Sequence, residues 1–372
     1  MANISDNLAV VLADHQIDLY RYEANQRQDI AAFLLAMADE IRKAIISADV
    51  ESVPFVTKKK LNALLKEIEQ IIKQYYRDAR DYHLGELKEL SVLEYAAAAA
   101  NINSVVGVTV FETFLTNHFL ESVVSNVLIE GAPSKEWWAR QATDTMEKFV
   151  DQIRMGVALG ETNDQLIKRV LGNFTGTYSR RKLADGTTKR YGNYEGGILN
   201  GSRSNASTLV RSSVQAIAND AKMRLYAAND DLIYGYQQLS VLDLKTSDIC
   251  IARSGLAWTV DGKPIGNHKK RFRIPPLHWN CRSLLMPILK SWQDMPGKVV
   301  TSLPGSMQAS MDGLVSASET YEDMLKRRSD REVRQVLGPA RYKLWKAGKL
   351  SLRDLTDQDD RPLTLKQLRE RV

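Results

Sequence analysis

Residues Leu239 to Pro287 read LSVLDLKTSDICIARSGLAWTVDGKPIGNHKKRFRIPPLHWNCRSLLMP, the one part of this 372-residue chain that long helices cannot explain. In and just before it, Ile233, Tyr234, Tyr236, Leu239, Val241 and Leu242 favour strand, whereas Gly255, Gly262, Pro264, Gly266, Pro275 and Pro276 interrupt helices. The pattern predicts a small sheet with turns, one of them at Asp261-Gly262. Pro276 pushes Pro275 out of the helical region, so His278-Trp279-Asn280-Cys281 should follow an extended approach and open a turn or short helix. His278 and Cys281 would then sit close together.

Both cysteines lie in this stretch. Imidazole nitrogen and thiolate sulfur three residues apart can converge on one ion, so His278 and Cys281 form a candidate half of a zinc site, with Cys250 as a third ligand. A fourth ligand would have to be Asp243, Asp248, His268 or water. Two other readings stand beside the metal: a pair of small buried hydrophobes with His278 bonded to a backbone carbonyl, or a disulfide. In each of them Cys250, His278 and Cys281 form one cluster, with Trp258 and Trp279 large enough to fill the space between.

The order Asp243, Thr246, Ser247, Cys250, then Gly255 and Trp258, then Pro275, Pro276, His278, Asn280, Cys281, Arg282 and Ser283 resembles the C-terminal module of phage minor head proteins, the Mu F-like head morphogenesis group. A helix is expected from Ser207; its stretch from Val210-Arg211-Ser212-Ser213, and tail segments such as Thr320 to Leu325 and Val336 to Arg341, are similar too, so the likeness spans roughly 207–372. Many relatives carry a second early and a second late cysteine. Arg253 and Ser283 stand there in this chain, which excludes a four-thiolate site. The resemblance implies head assembly, contact with portal and capsid or scaffold proteins, double-stranded DNA as a further candidate partner, and residence in the virion after assembly in the host cytoplasm. It also implies Asp243, Pro275, Pro276, Asn280 and Arg282 as motif residues.

The composition is that of ordinary globular protein, and no run of 18 apolar residues is present, so neither a membrane span nor a signal peptide is expected. Two cysteines suit a reducing compartment. The net charge of +6 permits a polyanionic partner without requiring one. Its distribution is more informative. Arg180, Arg181, Lys182, Lys189 and Arg190 form one basic run, and Lys269, Lys270, Arg271 and Arg273 a second, both in turn-rich sequence from which side chains could reach phosphates or an acidic protein.

Before this stretch, apolar residues recur at helical spacing in Leu8 to Leu19, Ile30 to Ile45, Leu61 to Tyr76, Leu84 to Ala100 and Phe111 to Leu128. Ser134 is placed to cap a further helix, and a shorter one is expected over Gln165 to Leu171. Seven of the 21 glycines fall in Gly172 to Ser204, where Asp185-Gly186 predicts a hairpin turn. The expected fold is mainly α with a small α+β module. Its parts are an N-terminal helical domain (1–172), a basic Gly-rich excursion (173–206), the Cys/His module with a short sheet (207–290), a linker (291–318) and a helical tail (319–372).

Enzyme signatures are sparse. The sequence has no Walker-type loop and no nucleophile elbow, and the pairs Asp230-Asp231 and Asp359-Asp360 read as exposed turns. His278 and Asn280 beside a metal are similar to His-Asn-His nucleases, but the second histidine such enzymes need is represented nearby only by His268, on the wrong side of the motif. A free nucleic-acid-binding regulator is the other alternative, although no recognition helix with exposed basic residues stands out. The expectation is a non-catalytic head component with zinc as a candidate cofactor.

Overall fold

No glycine or proline precedes Pro54, and the first helix accordingly runs unbroken as α1 (Ile4–Ala48). The two apolar runs expected at Leu8 to Leu19 and Ile30 to Ile45 thus belong to one helix, since no breaker stands between them. The same holds for α2 (Lys58–Val106), which joins two predicted segments and starts where Thr57 accepts from the Lys60 amide at 3.3 Å. The computed structural model describes residues 4–49, 57–107, 109–111, 117–182, 188–290, 307–316 and 319–370. The predicted Asp185-Gly186 turn and most of the 291–318 linker lie outside these residues.

The chain then forms α3 (Asn117–Asn126), a minimal hairpin of β1 (Leu128–Ile129) and β2 (Ala132–Pro133), α4 (Ser134–Ala158) and α5 (Asn163–Leu171). Next come the paired strands β3 (Asn173–Lys182) and β4 (Thr188–Glu195), then α6 (Gly197–Ala228). The cap position of α4 is Pro133, with no side-chain cap; Ser134 is instead buried and accepts from the Ser213 hydroxyl at 3.1 Å. Helix α6 starts ten residues before Ser207, where the sequence pattern placed it. Gly172 and Gly197 permit this, since the backbones before β3 and after β4 approach so closely that a Cβ on Gly197 would lie 2.5 Å from the Gly172 nitrogen.

Two compact units result, and α1, α2, α3 and α6 contribute to both. The first comprises Arg21–Glu89 and Glu121–Val214. In its interior Tyr76 Oη lies 2.8 Å from Thr145 Oγ1, which lies 3.0 Å from Ser202 Oγ. Tyr76 and His83 both pack edge-on against buried Trp138.

The second unit comprises Met1–Tyr20, Leu90–Leu120 and Gln215–Val372. It contains β5 (Ile233–Leu239), α7 (Asp248–Arg253), β6 (Ala257–Thr259), β7 (Pro264–Ile265) and β8 (Leu284–Leu289), the strands forming one antiparallel sheet in the order β7-β6-β5-β8. Tyr236, Leu239, Leu284, Leu285 and Met286 of this sheet share a core with Leu12, Tyr95, Ala98, Ala99, Ile102, Leu225 and Tyr226, so the alanine run of α2 provides the close contact its small side chains suggested. Residues 307–316 of the expected linker pair as a hairpin, β9 (Met307–Ser310) with β10 (Gly313–Ser316). The tail follows as α8 (Tyr321–Lys326), α9 (Asp330–Lys346) with a break at Gly338-Pro339, a 3-10 turn (Leu352–Leu355) and α10 (Leu365–Glu370). Its leucines pack with Tyr321, Met324 and Tyr342 in a separate core that includes Leu242 and Ile251. Mostly helical with small antiparallel sheets, the fold is the expected one.

Candidate metal centre

Strand register builds the site. Leu239 at the end of β5 is paired with Leu284 at the start of β8, so the next residues outward, Ser240 and Ser283, come together with their hydroxyl oxygens 2.8 Å apart. Beyond Ser240 the chain loops into α7, where Ser247 caps the helix by accepting from the Cys250 amide at 3.3 Å. On the other side the Pro275-Pro276 bond is cis, and His278 to Cys281 form a turn closed by the Cys281 amide and His278 carbonyl at 3.2 Å. Asn280 takes the left-handed conformation there (φ 61°), which asparagine tolerates well.

These constraints place Cys250 Sγ 3.7 Å from Cys281 Sγ and 3.1 Å from His278 Nε2. Both thiols are free and buried. His278 Nε2 is also 2.7 Å from Ser247 Oγ, while Nδ1 lies 2.8 Å from the Trp279 carbonyl. A proton on Nδ1 donates to that carbonyl and leaves Nε2 as the acceptor facing the thiols, which is the tautomer a metal-binding imidazole adopts. The Ser283 hydroxyl donates to Cys250 Sγ at 3.1 Å.

The thiols titrate as a pair. Hydrogen bonding from Cys250 lowers the Cys281 thiol, with His278 helping, while the hydrogen bond to Cys281 and burial raise Cys250 well above the ordinary thiol range. One thiolate is therefore stabilised and a second is opposed in the absence of a further positive charge.

The three ligand atoms lie within 4.8 Å of one another. A tetrahedral zinc with bonds of about 2.3 Å to sulfur holds two sulfurs roughly 3.8 Å apart, so the thiols already stand at the required separation. Next to them is a cavity of about 20 Å³, lined in part by Ser247, Cys250, His278, Asn280 and Ser283, with room for one water-sized group. The donor set fits a three-ligand site with one open position.

The predicted protein candidates for a fourth ligand lie elsewhere. Asp243 is gripped by Arg282 through paired bonds of 2.5 and 2.7 Å; burial raises its carboxyl, but the bonds and charge of Arg282 outweigh this and hold it below the usual range. Arg341 takes Asp248 at 2.6 Å. His268 bonds the Ala257 carbonyl at 2.9 Å and stands edge-on to Trp258. The motif residues Asp243 and Arg282 thus form a clasp between the two arms of the site, reinforced by hydrogen bonds from Tyr321 to the Asp243 carbonyl and from Tyr20 to the Arg282 carbonyl.

Some expectations need correction. Trp258 does not fill the space between the cysteines: it is buried beneath residues 268–272, donating to the Lys270 carbonyl at 2.7 Å, and Leu277 and Ile249 pack against the thiols instead. Asp360 is no exposed turn residue. Its carboxylate is buried and meets both Arg253 (3.0 Å) and Arg273 (3.1 Å). In the second basic run Lys270 turns inward, its ammonium against the Thr356 and Asp357 carbonyls at 3.2 and 2.5 Å, and Arg273 reaches Asp360, which leaves Lys269 and Arg271 outward-facing. In the first run Arg180, Lys189 and Arg190 are exposed on β3 and β4, while Arg181 and Lys182 are placed by the β3 backbone alone.

Sequence reasoning missed Ser240, Ser247 and Ser283 as partners of the cluster. The cap pattern at Ser247-Asp248 and the position of Ser283 two residues after Cys281 were the available signals. It also missed Arg253, which is fully buried across Trp258 and bonded to Gln238, Asp360 and the Arg271 carbonyl.

Residues 147–286 match the family model described as Phage Mu protein F like protein. This segment is similar to the Mu F-like family. The Mu F-like segment begins in α4 and takes in α5, the β3–β4 pair, α6, the sheet and the whole Cys/His cluster. It thus starts well before the 207 suggested by the motifs, and it ends before the tail, whose likeness to the family the match does not cover. No curated protein and no solved structure gives a match. The family implies a role in phage head morphogenesis. Among the described residues no helix is long and apolar enough to cross a membrane.

Proposed function

We propose that this chain is a minor head component that acts without catalysis, docking on portal and capsid or scaffold proteins during assembly in the host cytoplasm and residing in the phage head. The observation that carries this reading is the Mu F-like match across the segment that folds the Cys/His module. The state of the cluster supports it. Cys250 and Cys281 are buried, the adjacent cavity holds little more than a water, and His268, the second histidine a His-Asn-His nuclease would need, is tied to Ala257 and Trp258. Such a cluster joins distant parts of the chain and offers no room for a substrate.

The same reading assigns zinc to Cys250, His278 and Cys281, with water or the Ser247 hydroxyl in the open position. The ion would supply the positive charge that lets both thiols ionise, and would make folding of the module metal-dependent.

Fractionation of assembled heads tests the reading directly: the chain should co-purify with portal and capsid protein, and His278→Ala should reduce its incorporation or soluble yield. DNA cleavage by the purified wild type with added divalent metal, abolished by a folded His278→Ala variant, would replace the assembly reading with the nuclease one. Metal analysis should find about one zinc per chain. A metal-free protein indifferent to chelators would leave the cluster as a packed thiol and imidazole brace.

A further inference from the structure

The β3–β4 ribbon sets like charges against each other: Arg180 is paired with Arg190, and Arg181 with Lys189. Directly opposed like charges weaken an antiparallel pair. Among its described residues the ribbon carries five basic residues and one acid, Glu195 at the base, so none of these supplies an acid opposite the paired cations. Arg180, Lys189 and Arg190 are exposed, and none of them meets a carboxylate among the described residues.

One face of the ribbon is turned to its own unit, where Tyr191 is buried, and the other carries Phe174 and Tyr178, each about half exposed. Their rings are already occupied. Phe174 packs 5.3 Å from Tyr178 and 5.8 Å from Tyr194, and the Arg190 guanidinium lies 4.4 Å over Tyr178. Gly192 makes the arrangement possible, because a Cβ there would come within 3.0 Å of the Phe174 ring. Rings engaged in this way stiffen the ribbon and hold the Arg190 guanidinium in place, but they are poorly disposed to stack on unpaired bases. The exposed charged groups are cationic, with the Lys189 ammonium 5.7 Å over the Tyr191 ring. Adjacent residues such as Lys189 and Arg190 point to opposite faces, so positive charge lies on both sides of the ribbon. That suits a two-stranded ribbon lying in a duplex groove with phosphates on either side.

We propose that the exposed part of the β3–β4 ribbon grips the phosphate backbone of double-stranded DNA without reading its sequence. The choice of partner rests on the head-component reading, which would bring the chain to packaged duplex.

The test uses the full-length chain and a labelled mixed-sequence duplex of roughly 30 base pairs, with binding followed by anisotropy from about 50 to 300 mM KCl. The wild type should bind with a steep salt dependence. Joint Arg180→Gln, Lys189→Gln and Arg190→Gln changes should reduce the logarithmic slope by about 2 to 3 and the affinity at ~100 mM salt by at least about tenfold, whereas Arg190→Lys should keep the slope. Saturating duplex should also protect Lys189 from acetylation in the wild type, a readout independent of how well the triple variant folds. An unchanged slope in a folded triple variant, no protection of Lys189, no duplex binding at low salt, or tighter binding of an oligo-dT strand that depends on Phe174 and Tyr178 would each overturn the assignment. Wild-type incorporation into heads is scored separately, so failure of the ribbon assignment and failure of the head reading are distinguishable.

Discussion

Replacing Asp360 with alanine removes the carboxylate that, among the described residues, faces a fully buried guanidinium. Arg253 has no exposed side-chain surface, and burial lowers its pKa while Asp360 works to restore it. Asp360 accepts both Arg253 bonds at 3.0 and 3.1 Å, takes Arg273 at 3.1 Å, and has the Lys270 ammonium 3.8 Å away. Its loss leaves a buried cation with only the Gln238 side chain and the Arg271 carbonyl as acceptors. Deleting one partner of such a pair costs about 3–5 kcal/mol, because the remaining charge stays desolvated. For a unit of this size that corresponds to a fall in Tm of roughly 6–20 °C. Thermal melts of Asp360→Ala, Arg253→Met and the double variant measure it. The double variant should recover much of the loss, since replacing both ions with apolar groups is close to neutral. A loss under about 1 kcal/mol in Asp360→Ala, or a double variant no better than the worse single, would refute the view that Arg253 anchors the tail through this carboxylate.

Further outcomes follow from the same geometry. Neither ring nitrogen of His83 has a hydrogen-bond partner among the described residues, and burial depresses its pKa to about 3; the neutral form therefore supports the fold above pH ~6.5, and up to about 5 kcal/mol is lost as pH falls from there toward 3, a slope that His83→Leu should remove in urea melts taken across that range. Gly197→Ala puts a Cβ against the Gly172 backbone at a positive φ of 64°, and should cost at least about 2 kcal/mol in denaturant midpoint. Arg282→Lys keeps the charge but loses the paired grip on Asp243, and should cost about 1–2 kcal/mol and speed exchange of amides 243–247. Equal exchange there would count against the clasp.

Much of this architecture could be read from residue order, for identifiable reasons. Apolar spacing gave the helices, since a periodic stripe survives whatever the stripe packs against, and it failed only at their ends and joins. Whether Leu19 and Ile30 belong to one helix depends on the absence of a breaker, and the start of α6 depends on a backbone crossing at Gly172 and Gly197 that no periodicity encodes. The convergence of Cys250, His278 and Cys281 was visible because proline and turn residues bracket them.

The polar partners were not visible, because they are set by sheet register and by contacts far along the chain. Ser240 meets Ser283 only because Leu239 pairs with Leu284, and Asp360 meets Arg253 across 107 residues. Charge patterning misled for the same reason. Lys269 to Arg273 and Arg180 to Arg190 look alike as basic runs, yet in the first the tail meets three of four cations through backbone carbonyls, Asp359 and Asp360, whereas in the second exposed cations stand opposite one another with no acid among their described neighbours. A basic run becomes a candidate contact for a polyanion only after its internal partners have been subtracted, and that subtraction favours the ribbon over the 269–273 loop. It also gives Arg253 a physical role: it is a fully buried cation that ties the tail to the module through Asp360.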